Sequence, residues 1–199
     1  EEVMAQIEGI IIAGVLKSGQ QLPSERELAE QTGVSRPKIR VAIQKLQERG
    51  LLIVHTGTGK GKSTAAWGLV MRCLGHGRRV GIVQFVKGRM VPGERLFLER
   101  FPELVTIRVM GEGFTWETQD RERDREAAAE ALRAARAMLQ DPSLHLVVLD
   151  ELNIVLRYDL VPLAEVLDAL AGKRPDLHVC ITGRNARPEL IEAADLVTE

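Results

Sequence analysis

The segment Leu51-Leu-Ile-Val-His55, followed by Thr56-Gly57-Thr58-Gly59-Lys60-Gly61-Lys62-Ser63-Thr64, constrains this chain more than any other feature. An almost wholly apolar strand reads as buried on both faces, the environment of a parallel sheet. The helical run Ala65 to Gly75 comes next, so the order is strand, glycine loop, helix. In that arrangement glycines let backbone N–H groups face phosphate oxygens, and the helix N-terminus adds positive potential. Lys62 supplies a charge and Ser63 a hydroxyl for Mg²⁺. The pattern GxxxxGK[ST] asks for glycine where Thr56 stands, and its other features are in place. The expected phosphate contacts are therefore Gly57, Thr58, Gly59, Lys60, Gly61, Lys62, Ser63 and Thr64, against the plainer reading of a flexible Gly/Lys loop.

Further apolar strands are expected at Val80 to Val86, Val105 to Val109 and Leu144 to Leu149. Strands alternating with helices imply an α/β fold, a mostly parallel sheet flanked by helices. The last of these strands ends in Asp150-Glu151, which places two acids beside the phosphate loop, where Mg²⁺ on a nucleotide needs a ligand. Acids after a buried strand also serve simply as helix caps. Residues 121 to 140, rich in Arg, Glu and Ala, read as a solvated surface helix. Phe114 and Trp116, in a glycine-bracketed polar segment, read either as core anchors or as loop aromatics over a flat ligand.

The chain has 199 residues, 45% hydrophobic and 28% charged, with a net charge of −1. That is enough apolar material for a core, and it excludes a uniformly basic nucleic-acid coat. Gly9 to Leu16 is too short for a bilayer, which needs about 20 apolar residues. Nothing marks a signal peptide, and the lack of an initiator Met suggests a piece of a longer chain. Cys73 and Cys180 have neither CxxC nor Cys/His spacing, so buried thiols in a cytoplasmic protein are expected, not a disulfide or zinc site.

Charge is nevertheless local. From Arg36 to Arg49 five basic residues face one acid. Three helical patterns precede the strand. Val3, Ile7, Ile10, Ile11 and Val15 keep a 3.6-residue period, Ser24 with Glu27 forms a capping box, and Ser35 is placed to cap a third helix with Pro37 in its first turn. Gln31-Thr32-Gly33-Val34 is the short turn of a helix-turn-helix. The third helix, as recognition helix, would offer Arg36, Lys38 or Arg40 to bases, although charge alone favours the plainer reading of a solvated basic helix.

Two resemblances sharpen this. The run from Gly14 through Gln21-Leu-Pro-Ser-Glu-Arg-Glu-Leu-Ala-Glu, with Gly33-Val-Ser-Arg-Pro and Leu46-Gln-Glu-Arg-Gly-Leu-Leu, resembles the GntR family of winged-helix regulators. That resemblance implies operator binding as a homodimer through residues 24–49, with Arg26, Ser35, Arg36, Lys38 and Arg40 on DNA-contacting positions. The family follows this helix with a two-stranded wing. Here Leu51 to His55 is the apolar strand instead, so the wing is expected to be missing.

The phosphate loop, Gly75-His-Gly-Arg-Arg-Val-Gly-Ile-Val-Gln-Phe-Val-Lys-Gly, Pro92-Gly-Glu-Arg, Gly113-Phe-Thr-Trp-Glu-Thr-Gln, Leu149-Asp-Glu-Leu and Ile181-Thr-Gly-Arg together resemble the P-loop corrinoid adenosyltransferases. The resemblance implies transfer of the 5′-deoxyadenosyl group of ATP to cob(I)alamin with release of triphosphate. It places the nucleotide on Gly57 to Thr64, Mg²⁺ on Glu151, with Arg72 and Arg184 on nucleotide-contacting positions. Phe114 and Trp116 match aromatics that displace the lower axial ligand of the corrin. Family loops carry Asn where Thr58 stands, and members continue past Glu199. The expected domains are a helix-turn-helix over 1–50 and a C-terminally shortened adenosyltransferase domain over 51–199. The junction lies inside Glu48 to Val54 without a linker, as in a natural fusion or an engineered splice. The competing expectation is a regulator whose P-loop domain only senses nucleotide or corrinoid.

Overall fold

Leu52, Ile53 and Val54 are buried to 7% exposure or less, and with His55 they form strand β1 (Leu52–His55) of a parallel sheet. The structure is a computed structural model that describes residues 2–10, 23–86, 91–110 and 121–199. These fall into two units, Glu1–Arg49 and Gly50–Glu199.

The first unit holds α1 (Glu2–Ile10), α2 (Glu25–Thr32) and α3 (Arg36–Glu48). Ile7, Leu28, Ile39 and Ala42 form its buried centre. Burying each large side chain contributes about 1.5–3 kcal/mol, whereas fixing the backbone costs about 1–2 kcal/mol per residue. With so small a centre, the helix ends matter. At α2 the capping box is complete, and Gly33 closes the helix in the left-handed region at φ 69°. At α3 the expectation fails: Ser35 occupies the N-cap without a side-chain hydrogen bond. Pro37, two residues on, lacks one of the N–H groups such a cap would bind. No strand occurs among the described residues of this unit.

In the second unit β1 is followed by α4 (Lys62–Gly75), β2 (Arg79–Gln84), α5 (Gly93–Leu98), β3 (Val105–Val109) and α6 (Arg121–Gln140). Then come β4 (Leu144–Asp150), α7 (Leu152–Arg157), α8 (Leu163–Ala171), β5 (His178–Thr182), α9 (Pro188–Ala193) and β6 (Leu196–Thr198). The six strands run parallel in the order β3-β2-β4-β5-β1-β6. Because β1 pairs with β5 and β6, it is not available for a wing hairpin.

Alternation sorts the strand residues to two faces. Ile53, Ile82, Val148 and Cys180 meet Ala66, Trp67 and Val70 of α4 on one face. Val54, Val83, Leu149 and Ile181 share the other with α6. Helix α6 corrects the reading of a merely solvated helix: Ala128, Ala131, Leu132, Ala135, Met138 and Leu139 are buried. Its small residues allow close approach to the sheet, and a Cβ on Gly81 would lie 2.7 Å from Met138 Sδ. Strand β2 ends at Gln84, two residues before the expected limit. Strands β5 and β6 were not among the expected ones. The first is partly polar, and the second has only three residues.

Candidate functional site

The loop after β1 turns on two left-handed glycines, Gly57 at φ 87° and Gly61 at φ 102°. Gly61 is the N-cap of α4 and offers no side chain, so the first-turn N–H groups of this 14-residue helix have no side-chain cap. Such a terminus suits an anion. Thr58, Gly59, Lys60, Gly61 and Thr64 are exposed around it. Lys62 Nζ folds over the loop and donates to Gly57 O at 3.1 Å and Gly59 O at 2.5 Å.

Thr56 stands where the phosphate-loop pattern has glycine, and its placement accounts for the difference. It is buried, its N–H donates to Thr198 O, and its hydroxyl accepts from Ala186 N–H at 3.0 Å. The residue therefore ties the loop to the segments flanking α9, a task glycine has no side chain to perform.

Asp150 lies at the end of β4, buried to 5% exposure. Its Oδ1 accepts from Ser63 Oγ and from Thr182 Oγ1, both at 2.8 Å, and its Oδ2 accepts from Gln84 Nε2 at 3.2 Å. The carboxyl ends of β2, β4 and β5 thus converge on one carboxylate beside the phosphate loop. Sequence reasoning selected Ser63 and Asp150 but missed Gln84 and Thr182. Their available signal was a polar residue ending an otherwise apolar strand: Gln84 is in register with Asp150, and Thr182 follows Ile181, the last β5 residue paired with β4.

Glu151 adopts a left-handed backbone, φ 61° and ψ 22°, uncommon for a residue with a side chain. Thr182 Oγ1 accepts its N–H at 2.9 Å. Its Oε2 is buried without a hydrogen-bond partner. Burial first, then the negative charge of Asp150, raises its carboxyl above the usual range, while Lys62 and Arg184 pull it down. Held strain together with a perturbed carboxyl makes Glu151 a candidate functional position. Gly183, at φ 127°, keeps this corner tight, since a Cβ there would sit 2.8 Å from Asn153 Cβ and 3.3 Å from Glu151 Oε2. Asn153 donates to Gly183 O at 2.8 Å.

The donor set of Ser63 hydroxyl, Asp150 and the unpartnered Glu151 oxygen fits a hard divalent cation such as Mg²⁺, which uses few protein ligands beside phosphate oxygens and water. No group of three or more His, Cys, Asp or Glu side chains suited to a metal occurs among the described residues. Arg184 is exposed on the same side, within electrostatic reach of Glu151. Arg72 is not brought there. It lies ten residues beyond Lys62 on α4, about 15 Å along the helix axis. Phe114 and Trp116 lie outside the described residues.

In the first unit Arg26, Ser35, Arg36, Lys38 and Arg40 are all exposed. Arg40 is held by Glu25 in a two-pronged pair, both distances 2.8 Å, and Arg26 lies 3.8 Å from Glu30.

Residues 48–199 match the family described as ATP:corrinoid adenosyltransferase BtuR/CobO/CobP, and residues 1–60 match bacterial regulatory proteins of the gntR family. A corrinoid adenosyltransferase of Pseudomonas aeruginosa is 54% identical over 156 residues, 78% of this chain and 77% of that protein. Another, from Escherichia coli K12, is 49% identical over 156 residues, covering 78% and 79%. An uncharacterised HTH-type transcriptional regulator of Mycobacterium bovis is 47% identical over 57 residues, 29% of this chain and 24% of that protein.

Proposed function

The chain belongs to the ATP:corrinoid adenosyltransferase family, and on that premise we propose how its own residues carry out the transfer and what its gntR-type segment adds. The enzyme transfers the 5′-deoxyadenosyl group of ATP to a cob(I)alamin-type corrinoid. The Co(I) electron pair forms the Co–C5′ bond, the C5′–O5′ bond breaks, and triphosphate leaves with that bonding pair. Cobalt is such a strong nucleophile that no general base is required of the protein. What remains is to align C5′ and stabilise the leaving group.

The observation that carries this reading is the convergence of Lys62, Ser63, Asp150 and the unpartnered Glu151 oxygen around the uncapped start of α4. Backbone N–H groups of Gly57 to Thr64 hold the triphosphate, and Lys62 exchanges Gly57 O and Gly59 O for phosphate oxygens. Ser63, Asp150 and Glu151 would hold Mg²⁺, which when bound would supply positive charge to offset that of the triphosphate. Arg184 adds a cation from the loop after β5. Phe114 and Trp116 contact the corrin, as the family resemblance implies. Product analysis tests this: triphosphate and adenosylated corrinoid are expected in equal amounts, whereas ADP would mean a kinase or ordinary NTPase.

The gntR-type segment is an appended DNA-binding module. Exposed Arg36 and Lys38 at the start of α3 favour operator DNA as its partner, bound by a homodimer. If the P-loop domain only senses nucleotide or corrinoid, a specific gel shift will survive Lys62→Ala but adenosyl transfer will be absent from the wild type. No helix among the described residues is long and apolar enough to cross a membrane.

A further inference from the structure

The phosphate loop and its acids occupy the carboxyl edge of the sheet. At the opposite edge, the starts of β1, β4 and β5 and the last turns of α4 line a cavity of about 500 Å³ that is open to solvent. Organic ligand sites commonly have about 300–1,000 Å³. Ile53 and Leu69 give this cavity an apolar wall, whereas its polar lining is Arg72, His76, Arg78, His145 and His178. No carboxylate lines it among the described residues.

Two of the histidines, His145 and His178, touch. Their rings meet edge to face, with 5.3 Å between the centroids of His145 and His178. His178 Nδ1 accepts the Leu51 N–H at 3.1 Å, which makes its Nε2 the protonated, donating nitrogen of a neutral ring. Burial chiefly, helped by Arg78 at His145 and by His145 at His178, holds both imidazoles below their usual range. Asp176 is the acid that acts on both rings, and Arg174 binds it at 3.1 and 3.0 Å.

Helix α4 ends here, and a helix C-terminus carries roughly half a negative charge. That charge is muted, because Cys73 O and Leu74 O accept N–H groups of His76, Gly77 and Arg78. Two guanidinium charges outweigh it. Both act on the half-buried Cys73 thiol, drawing it down against the larger effect of burial.

We propose that this cavity is a second ligand site, separate from the phosphate loop, which takes an organic anion: a phosphate or carboxylate held by Arg72 and Arg78, with an apolar body against Ile53 and Leu69. Arg72 lines this cavity, about 15 Å along α4 from Lys62.

The test is calorimetric titration of the full chain with phenyl phosphate, benzoate and inorganic phosphate, in the Lys62→Ala background as well as the wild type. Phenyl phosphate or benzoate is expected to bind both proteins within twofold, and whichever is tighter identifies the anionic group. Inorganic phosphate, lacking the apolar body, should bind at least tenfold more weakly. Arg78→Ala should weaken the organic probe at least tenfold, and Leu69→Trp, which fills the cavity, should remove it. Both variants should keep wild-type ATP binding, which checks that they fold. Bound probe should also slow labelling of Cys73. Loss of the organic probe in Lys62→Ala would assign it to the phosphate loop instead. That result, indifference to Arg78→Ala, or no binding of either organic probe overturns the proposal.

Discussion

Glu151 combines a left-handed backbone, an Oε2 without a partner, and a carboxyl that burial and then Asp150 raise above the ordinary range. Between the ordinary value and the raised one, the folded chain holds a proton that the unfolded chain has lost. Stability contributed by this group is therefore fully present below the ordinary value and falls as pH rises through that window. Glu151→Gln, which cannot ionise, is expected to melt at a higher temperature than the wild type at pH 7 without ligands, by calorimetry. It should also lose about 10- to 100-fold in Mg·ATP-dependent transfer. An unchanged rate would remove Glu151 from the cation site. Gly183→Ala forces a side chain into φ 127° against Asn153 and should cost about 1–3 kcal/mol in denaturant melts. Cys180 is fully buried, with its thiol pushed up to about 12 by burial and Asp150. It should resist maleimide at pH 8 until the protein unfolds. Lys62, Ser63, Asp150 and Glu151 were legible in the sequence because loop and strand-end patterns are local. Gln84 and Thr182 were not, since they lie 66 and 32 residues from Asp150 and only sheet register brings them to it.

Among the elements, strand β1 was legible as a buried parallel strand because its apolar run leaves no polar face. Helix α6 was misread for the opposite reason. Alanine and charge dominate its composition, yet Ala128, Ala131, Leu132 and Ala135 recur at helical spacing and line one buried face. The cost of filling that contact is measurable: Gly81→Val, whose Cβ meets Met138 and Leu144 within 3 Å, should destabilise by about 1–3 kcal/mol in urea melts. A neutral result would mean that α6 is free to move off the sheet. On α3 the basic residues differ in their partners. Arg40 is engaged by Glu25, whereas Arg36 and Lys38 lead the helix into solvent. If Arg36 touches a phosphate, Arg36→Ala should reduce the slope of log affinity against log salt by about one for operator DNA. An unchanged slope would place the phosphate contacts elsewhere.

At the scale of the whole molecule, the matches to the two families overlap at residues 48–60, and the end of the gntR match falls on β1 and the phosphate loop. Residues 52–55 of that overlap are strand β1 of the sheet, and the elements among the described residues before it are all helices. If the two units act independently, adenosyl transfer will be unchanged in Arg36→Ala. The central claim is tested most directly by mixing the protein with Mg·ATP and chemically reduced cobalamin and following the corrin absorbance, with Lys62→Ala in parallel. Conversion to the adenosylated corrinoid with release of triphosphate, reduced by about 100-fold or more in Lys62→Ala, is the predicted result. Absence of conversion while the wild type still binds ATP, or equal rates in the two proteins, would contradict it.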